Sequence, residues 1–262
     1  MQEKWNGGLE HKKSQVNGVD RLCFRDIRGY ERFTTLVTHE YFHTWNVKRI
    51  RAEGLGPFDY DQEAYTPLLW MMEGITSYYD TLVPTRAGLI TRERYMEILG
   101  DRIATLRAIP GRRLQSLEES SYDAWIKLYR RDENTVNSSV SYYLKGAMAV
   151  FMLDLHIRLE SGGERSFDDV LRALWIRQRD TNQAIAPSEV NQLLSEAVGM
   201  DLTSQLDAWV RSREDLPFDE MLGRFGLTLT GKHKDTYTRP KTASGGPAPW
   251  MGITSKTVRG LT

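Results

Sequence analysis

Along most of this chain, apolar residues recur at helical spacing rather than in alternation. Phe33, Leu36, Val37 and Phe42 predict a helix from about Glu31 through His43. Residues 91–108 read as a charged amphipathic helix opened by Thr91, with Tyr95, Ile98, Leu99, Ile103 and Leu106 on its inner side. The strongest signal runs from about Ser141 to Glu160. There Leu144, Ala147, Met148, Phe151, Met152 and Leu155 keep register, and Tyr142 and Tyr143 fall in the first turn. Ser166-Phe167-Asp168-Asp169 reads as a capping box, Ser188 as the cap of a helix reaching Val198, and Thr203 as the start of one ending near Arg213.

The remaining stretches are punctuation. Asn6-Gly7-Gly8-Leu9-Glu10-His11 reads first as a plain turn, or as a strand whose backbone something approaches closely. Asn17-Gly18 and Arg28-Gly29 mark further turns. From Lys48 to Thr66 periodicity vanishes. A loop of that length inside a domain suggests a functional element, here a covering over a cleft. Residues 132–139 form a second polar loop. The expected organisation is a mainly α domain over residues 1–230 with a small β portion near its start. A Pro-, Gly-, Ser- and Thr-rich linker follows over 231–249, and then a lone strand within 250–262.

Composition narrows the partners. In 262 residues, 35 basic side chains balance 35 acidic ones, so charge gives no reason to expect nucleic acid or an anionic membrane. Cys23 stands alone and forms no internal disulfide. The longest apolar run, Ala147 to Leu153, is too short to span a bilayer. The first residues lack the basic start and apolar run of a signal peptide. A soluble globular protein, or a piece of one, is expected. Its compartment stays open between the cytoplasm and a bacterial periplasm, and its oligomeric state is also open.

The chemistry concentrates in Thr38-His39-Glu40-Tyr41-Phe42-His43. Four residues make just over one helical turn, so His39 and His43 project from one face and can reach a single zinc ion. Glu40 is rotated off that axis, placed to accept a proton from water without being a ligand. An ordinary helix carrying two histidines is the plain alternative. A third ligand is offered by Glu73, in the apolar run Trp70-Met71-Met72-Glu73-Gly74, where an unpaired carboxylate is costly to bury. Asp80, two turns further on, can orient a ligand by hydrogen bonding. Arg112 and Arg113 read as solvated charges that could also meet a substrate carboxylate. His156 and His233 have no ligand-like neighbours.

These segments together resemble the gluzincin metallopeptidases of the aminopeptidase N type. The resemblance is carried by His39-Glu40-x-x-His43, by Glu73-Gly74 with Trp70 before and Asp80 after, by Gly7-Gly8-Leu9-Glu10, and by Tyr143-Leu144-Lys145-Gly146. The 30-position separation of His43 and Glu73, the run His43-Thr44-Trp45-Asn46-Val47-Lys48-Arg49 and the Gly-Gly-Leu-Glu-His form look most like the glycyl aminopeptidase family. That resemblance implies a thermolysin-like catalytic domain with one zinc per chain on His39, His43 and Glu73. It implies Glu40 as general base and Tyr143, or its neighbour Tyr142, as oxyanion donor. Gly7, Gly8 and Glu10 would bind the free amine of a peptide or protein substrate, making an aminopeptidase that removes small residues such as Gly or Ala. It further implies a β domain before residue 1 and a PDZ domain beginning near residue 250, hence a fragment. A zinc endopeptidase and a non-catalytic peptide-binding relic are the rival readings.

Overall fold

The computed structural model describes residues 7–230, and the chain up to Leu227 packs as one compact unit. The expected linker and PDZ strand, and His233, lie outside the described residues. The fold is mainly α, as expected. β1 (Gly7–Glu10) and β2 (Gln15–Gly18) form an antiparallel hairpin with Gly8 opposite Asn17 and Glu10 opposite Gln15. The reversal falls at residues 11–14, closed by His11 N–H donating to the Ser14 carbonyl (2.8 Å). Asn17-Gly18, read as a turn, therefore lies in β2.

α1 (Ile27–Phe42) starts four residues before the periodicity predicts, because Asp26 caps it by accepting from Gly29 N–H (2.7 Å). Gly29, also read as a turn, is helical. A Cβ there would sit 1.6 Å from the Cys23 carbonyl oxygen, so glycine is required by the close approach of the preceding turn. After a long connection come a π-helical turn (Trp70–Gly74), α2 (Ile75–Arg86) and α3 (Arg92–Arg107), the last capped by Thr91 as expected. Short helices α4 (Leu117–Tyr122) and α5 (Thr135–Ser138) precede α6 (Leu144–Glu160).

α6 is the axis of the core. Every side chain from Lys145 to Asp154 is buried, which explains a sequence that is apolar around its whole circumference. The one carboxylate in that run, Asp154, is satisfied: Tyr78 Oη donates to it (2.8 Å), as do Phe167 N–H (2.7 Å) and Arg158 Nε (2.9 Å). α7 (Phe167–Thr181), α8 (Val190–Val198), α9 (Thr203–Leu206) and α10 (Phe218–Arg224) complete the unit. Asp169 reaches back to Ser166 N–H (2.9 Å), so the predicted capping box forms. Ser188 falls within a 3-10 turn, Pro187–Glu189, that leads into α8. His156 is structural, its ring packed edge-on against Trp209.

Two glycines set how closely α6 meets the π-helical turn. A Cβ on Gly74 would lie 2.8 Å from Gly146 backbone, and one on Gly146 would lie 3.0 Å from Gly74 Cα and 3.1 Å from the Trp70 carbonyl. Backbone therefore packs on backbone where the Glu73-Gly74 and Lys145-Gly146 segments cross. That contact fixes Glu73 relative to Tyr143, which stands at the N-cap of α6.

Candidate metal centre and active site

His39 and His43 leave the end of α1 one turn apart, and Glu73 comes to them from the π-helical turn. His39 Nε2 and His43 Nε2 are 3.1 Å apart, and Glu73 Oε2 is 3.2 Å from each. Three donor atoms so spaced share a point about 2 Å from all of them, the length of Zn–N and Zn–O bonds. The outer ring nitrogens test whether the donors really fit a metal. His43 Nδ1 faces the Asn46 carbonyl (2.8 Å), an acceptor only, so Nδ1 carries the proton and the Nε2 lone pair is free. His39 Nδ1 faces Asp80 Oδ2 (3.3 Å), with the same consequence. The donor set fits a zinc-type cation.

Charge points the same way. Burial opposes protonation of His39, but the Asp80 and Glu73 carboxylates outweigh it and raise its pKa to about 10. Burial would raise Glu73, yet hydrogen bonds from His39 and His43 carry it down to about 2. Burial also works against an ionised Asp80, but Arg102, with Nη2 donating to Oδ1 (3.1 Å), then His39 and Thr81, bring it below the usual carboxylate range. In the metal-free protein a proton supplies the positive charge that this pocket demands.

Buried Asn46 and a stacked aromatic pair hold the candidate ligands in place. Asn46 is fully buried, and its amide donates to the carbonyls of Met71 (3.2 Å) and Met72 (2.7 Å) and to Thr76 Oγ1 (3.1 Å). It thereby ties the residues after α1 to the turn that carries Glu73, while its backbone carbonyl orients His43. The chain then bends sharply: Val47 has φ +128, an uncommon conformation for a β-branched residue, and Arg49 Nη1 braces the bend by donating to the Thr44 carbonyl. Phe42 stacks on Tyr79 (4.9 Å between centroids), joining α1 to α2 beside the ligands.

Glu40 is buried, and burial, only partly countered by His39 and His43, raises its carboxyl above the ordinary value. Gly8 lies directly against it: a Cβ on Gly8 would sit 2.2 Å from Glu40 Oε1. The close approach anticipated for the paired glycines is thus the hairpin backbone meeting Glu40. A carboxylate oxygen of Glu10 is within 4.8 Å of donor atoms of Glu40 and His43, and Glu10 is paired with Lys48 Nζ (2.8 Å).

Gly7, Gly8, His39, Glu40, Asp80 and Tyr143 all line one cleft of about 840 Å³. The two tyrosines separate here: Tyr142 is buried in the core, while Tyr143 faces the cleft, its ring centroid 6.2 Å from that of His39. Burial and the charge of Glu73 raise the Tyr143 pKa, keeping its hydroxyl a donor. Its oxygen lies 3.4 Å from that of Tyr129, a cleft residue with no signature in the sequence.

One expectation fails and another is narrowed. None of residues 48–66 lines this cleft; that segment instead pairs Ala52 with Ile185 and accepts from Trp125 Nε1 at Ala64. Leu128, Tyr129 and Arg131 line the cleft instead. Arg113 is exposed, as expected of a solvated charge, but neither it nor Arg112 lines this cleft, and both are paired with Asp215 (2.7 and 2.5 Å).

Comparison with known proteins follows this geometry. Residues 32–149 match the family model of the M61 glycyl aminopeptidase, a span that includes His39, Glu40, His43, Glu73 and Tyr143. A crystal structure of an aminopeptidase N family protein from Idiomarina loihiensis is similar at 34% identity and a TM-score of 0.82, over 86% of this chain. The chain spans 40% of that protein's length. No curated protein matches. The family model thus lies over the helices that carry the metal-binding geometry, and over those residues the chain is similar to the M61 glycyl aminopeptidase family.

Proposed function

We propose that this chain carries the catalytic site of a zinc aminopeptidase. The observation that carries the proposal is the triangle of His39 Nε2, His43 Nε2 and Glu73 Oε2 with the Glu40 carboxylate beside it. Zinc in such a site acidifies water and polarises a carbonyl. Glu40 takes the proton from the attacking water and delivers it to the leaving amine, a task suited to a carboxylate of raised pKa. The Tyr143 hydroxyl donates to the oxyanion as it develops. Gly7 and Gly8 line the cleft, Gly8 close against Glu40, and Glu10 pairs with the α-ammonium of the substrate, placing the first peptide bond over the site. Similarity to the glycyl aminopeptidase family supports a preference for small first residues, Gly or Ala.

The Glu10–Lys48 ion pair supports a second reading. If Lys48 keeps Glu10 neutralised, the same site serves as an endopeptidase on extended chains. Peptides with free and with acetylated amino termini separate the two: aminopeptidase action leaves the acetylated peptide uncleaved, whereas an endopeptidase cuts both. Glu40→Gln tests the common chemistry. It is expected to retain zinc and lose about 10²–10⁴-fold in kcat. Undiminished turnover by that variant removes Glu40 from its role.

A further inference from the structure

The cleft extends well beyond the metal ligands. Along α1 its wall runs from Arg28 to Glu40 and includes positions 28, 32, 35 and 39, one stripe of the helix. Most charges on this wall are already matched. Arg28 and Arg94 share Glu31 (3.1 and 2.9 Å) and Glu97 (3.5 and 2.9 Å). Arg102 is held by Asp80 (3.1 Å). Two lining cations, Arg32 and Arg131, have no carboxylate partner among the described residues, and both are exposed. Arg131 commits only its Nε, to the Leu128 carbonyl (3.3 Å), leaving its terminal nitrogens free.

We infer that this stretch of the cleft is a subsite for a carboxylate of the substrate, held by Arg32 and Arg131. The inference rests on the peptidase reading and names the substrate class: peptides bearing an acidic group at a set distance from the cleaved bond. Arg32 lies two helical turns before His39, about 10 Å along the axis at 1.5 Å per residue. An extended peptide advances about 3.3 Å per residue, so the carboxylate sits about three residues from the bond at the metal. Guanidinium suits the role because its fork matches a carboxylate with two parallel hydrogen bonds. Either the terminal carboxylate of a tetrapeptide or the side chain of Asp or Glu at the fourth position would reach it. Because the arginines are exposed, the effect is on binding and is modest.

The test uses zinc-loaded Glu40→Gln protein and calorimetric binding of three peptides with free amino termini. These are Gly-Ala-Ala-Ala as the acid, the same peptide as the amide, and Gly-Ala-Ala-Asp-Ala as the amide. The acid tetrapeptide, the Asp peptide or both are expected to bind about 3–10-fold more tightly than the plain amide at low salt. That advantage should shrink with added salt and vanish in Glu40→Gln carrying Arg32→Gln and Arg131→Gln. Which of the two gains tells terminal from side-chain carboxylate. Equal affinities, an advantage surviving the double arginine change, or no binding by any peptide would overturn the subsite. Failure of the peptidase reading shows separately, as wild-type zinc-loaded protein leaving all three peptides uncut.

Discussion

Asn46 and Glu10 lie within reach of the same histidine but are held by opposite means. Asn46 is fully buried, with three acceptors around its side-chain NH2 and its backbone carbonyl on His43. Glu10 belongs to a two-stranded hairpin, partly exposed, and one ammonium group holds it. On the metal side a displaced group would leave buried donors without partners, an outcome that costs far more than loss of an exposed ion pair. On the hairpin side a partner can be exchanged at small cost, which is what the proposed binding of a substrate amine in place of Lys48 requires. On the proposed reading, rigidity sits where a metal would be gripped, and exchangeable contacts sit where substrate would come and go.

That contrast can be broken or sharpened by graded changes. Tyr143→Phe removes a preorganised donor while leaving the ring and its packing on Tyr142. A loss of about 10²–10³-fold in kcat with zinc binding unchanged is expected from steady-state kinetics. A loss confined to KM would move Tyr143 from chemistry to binding. Asn46→Ala unties the chain after α1 from the π-helical turn while leaving the backbone carbonyl that His43 faces, and zinc affinity measured by competition with a chelator is expected to fall about 10–100-fold. Unchanged affinity would mean that α1 and the Gly74–Gly146 contact alone set the ligand geometry. Lys48→Met should have the smallest effect, a few-fold lower KM for free-amine peptides, because it leaves Glu10 to the substrate alone. A raised KM would show that Lys48 positions Glu10 rather than competing for it.

Sequence reasoning found the residues whose chemistry shows in their spacing. His39 and His43 are one turn apart on any helix, and Glu73 is conspicuous as a carboxylate in an apolar run. Asp80 is in register with Glu73, two turns on. Asn46, Thr76, Arg102 and Tyr129 escaped because nothing local marks them: each acts on groups brought near only by the packing of α1, α2, α3 and α6. The π-helical turn at Trp70–Gly74 has no periodicity of its own to read. The early start of α1 was legible in principle, since Asp26 is a good capping residue. Gly29 drew attention instead as a turn, when its role is to let Cys23 approach. The loop at 48–66 was overread, because length alone does not say which surface a loop covers.

The site's most direct test is metal uptake as a function of pH. His39, raised to about 10, is protonated in the metal-free protein at neutral pH, so zinc must displace that proton. In the metal-free state the raised His39 stabilises the fold fully below its ordinary pKa of 6.5 and less as pH rises towards 10. Glu73, lowered to about 2, contributes fully above 4.5 and loses its effect as pH falls through 2. Zinc should therefore raise the melting temperature more at pH 8 than at pH 6. Calorimetric titration in buffers of different ionisation enthalpy should give one zinc per chain, with proton release and an affinity that rises with pH. Binding of less than a tenth of an equivalent, or binding that survives replacement of His39, His43 and Glu73 together, would contradict a metal centre built from these three residues.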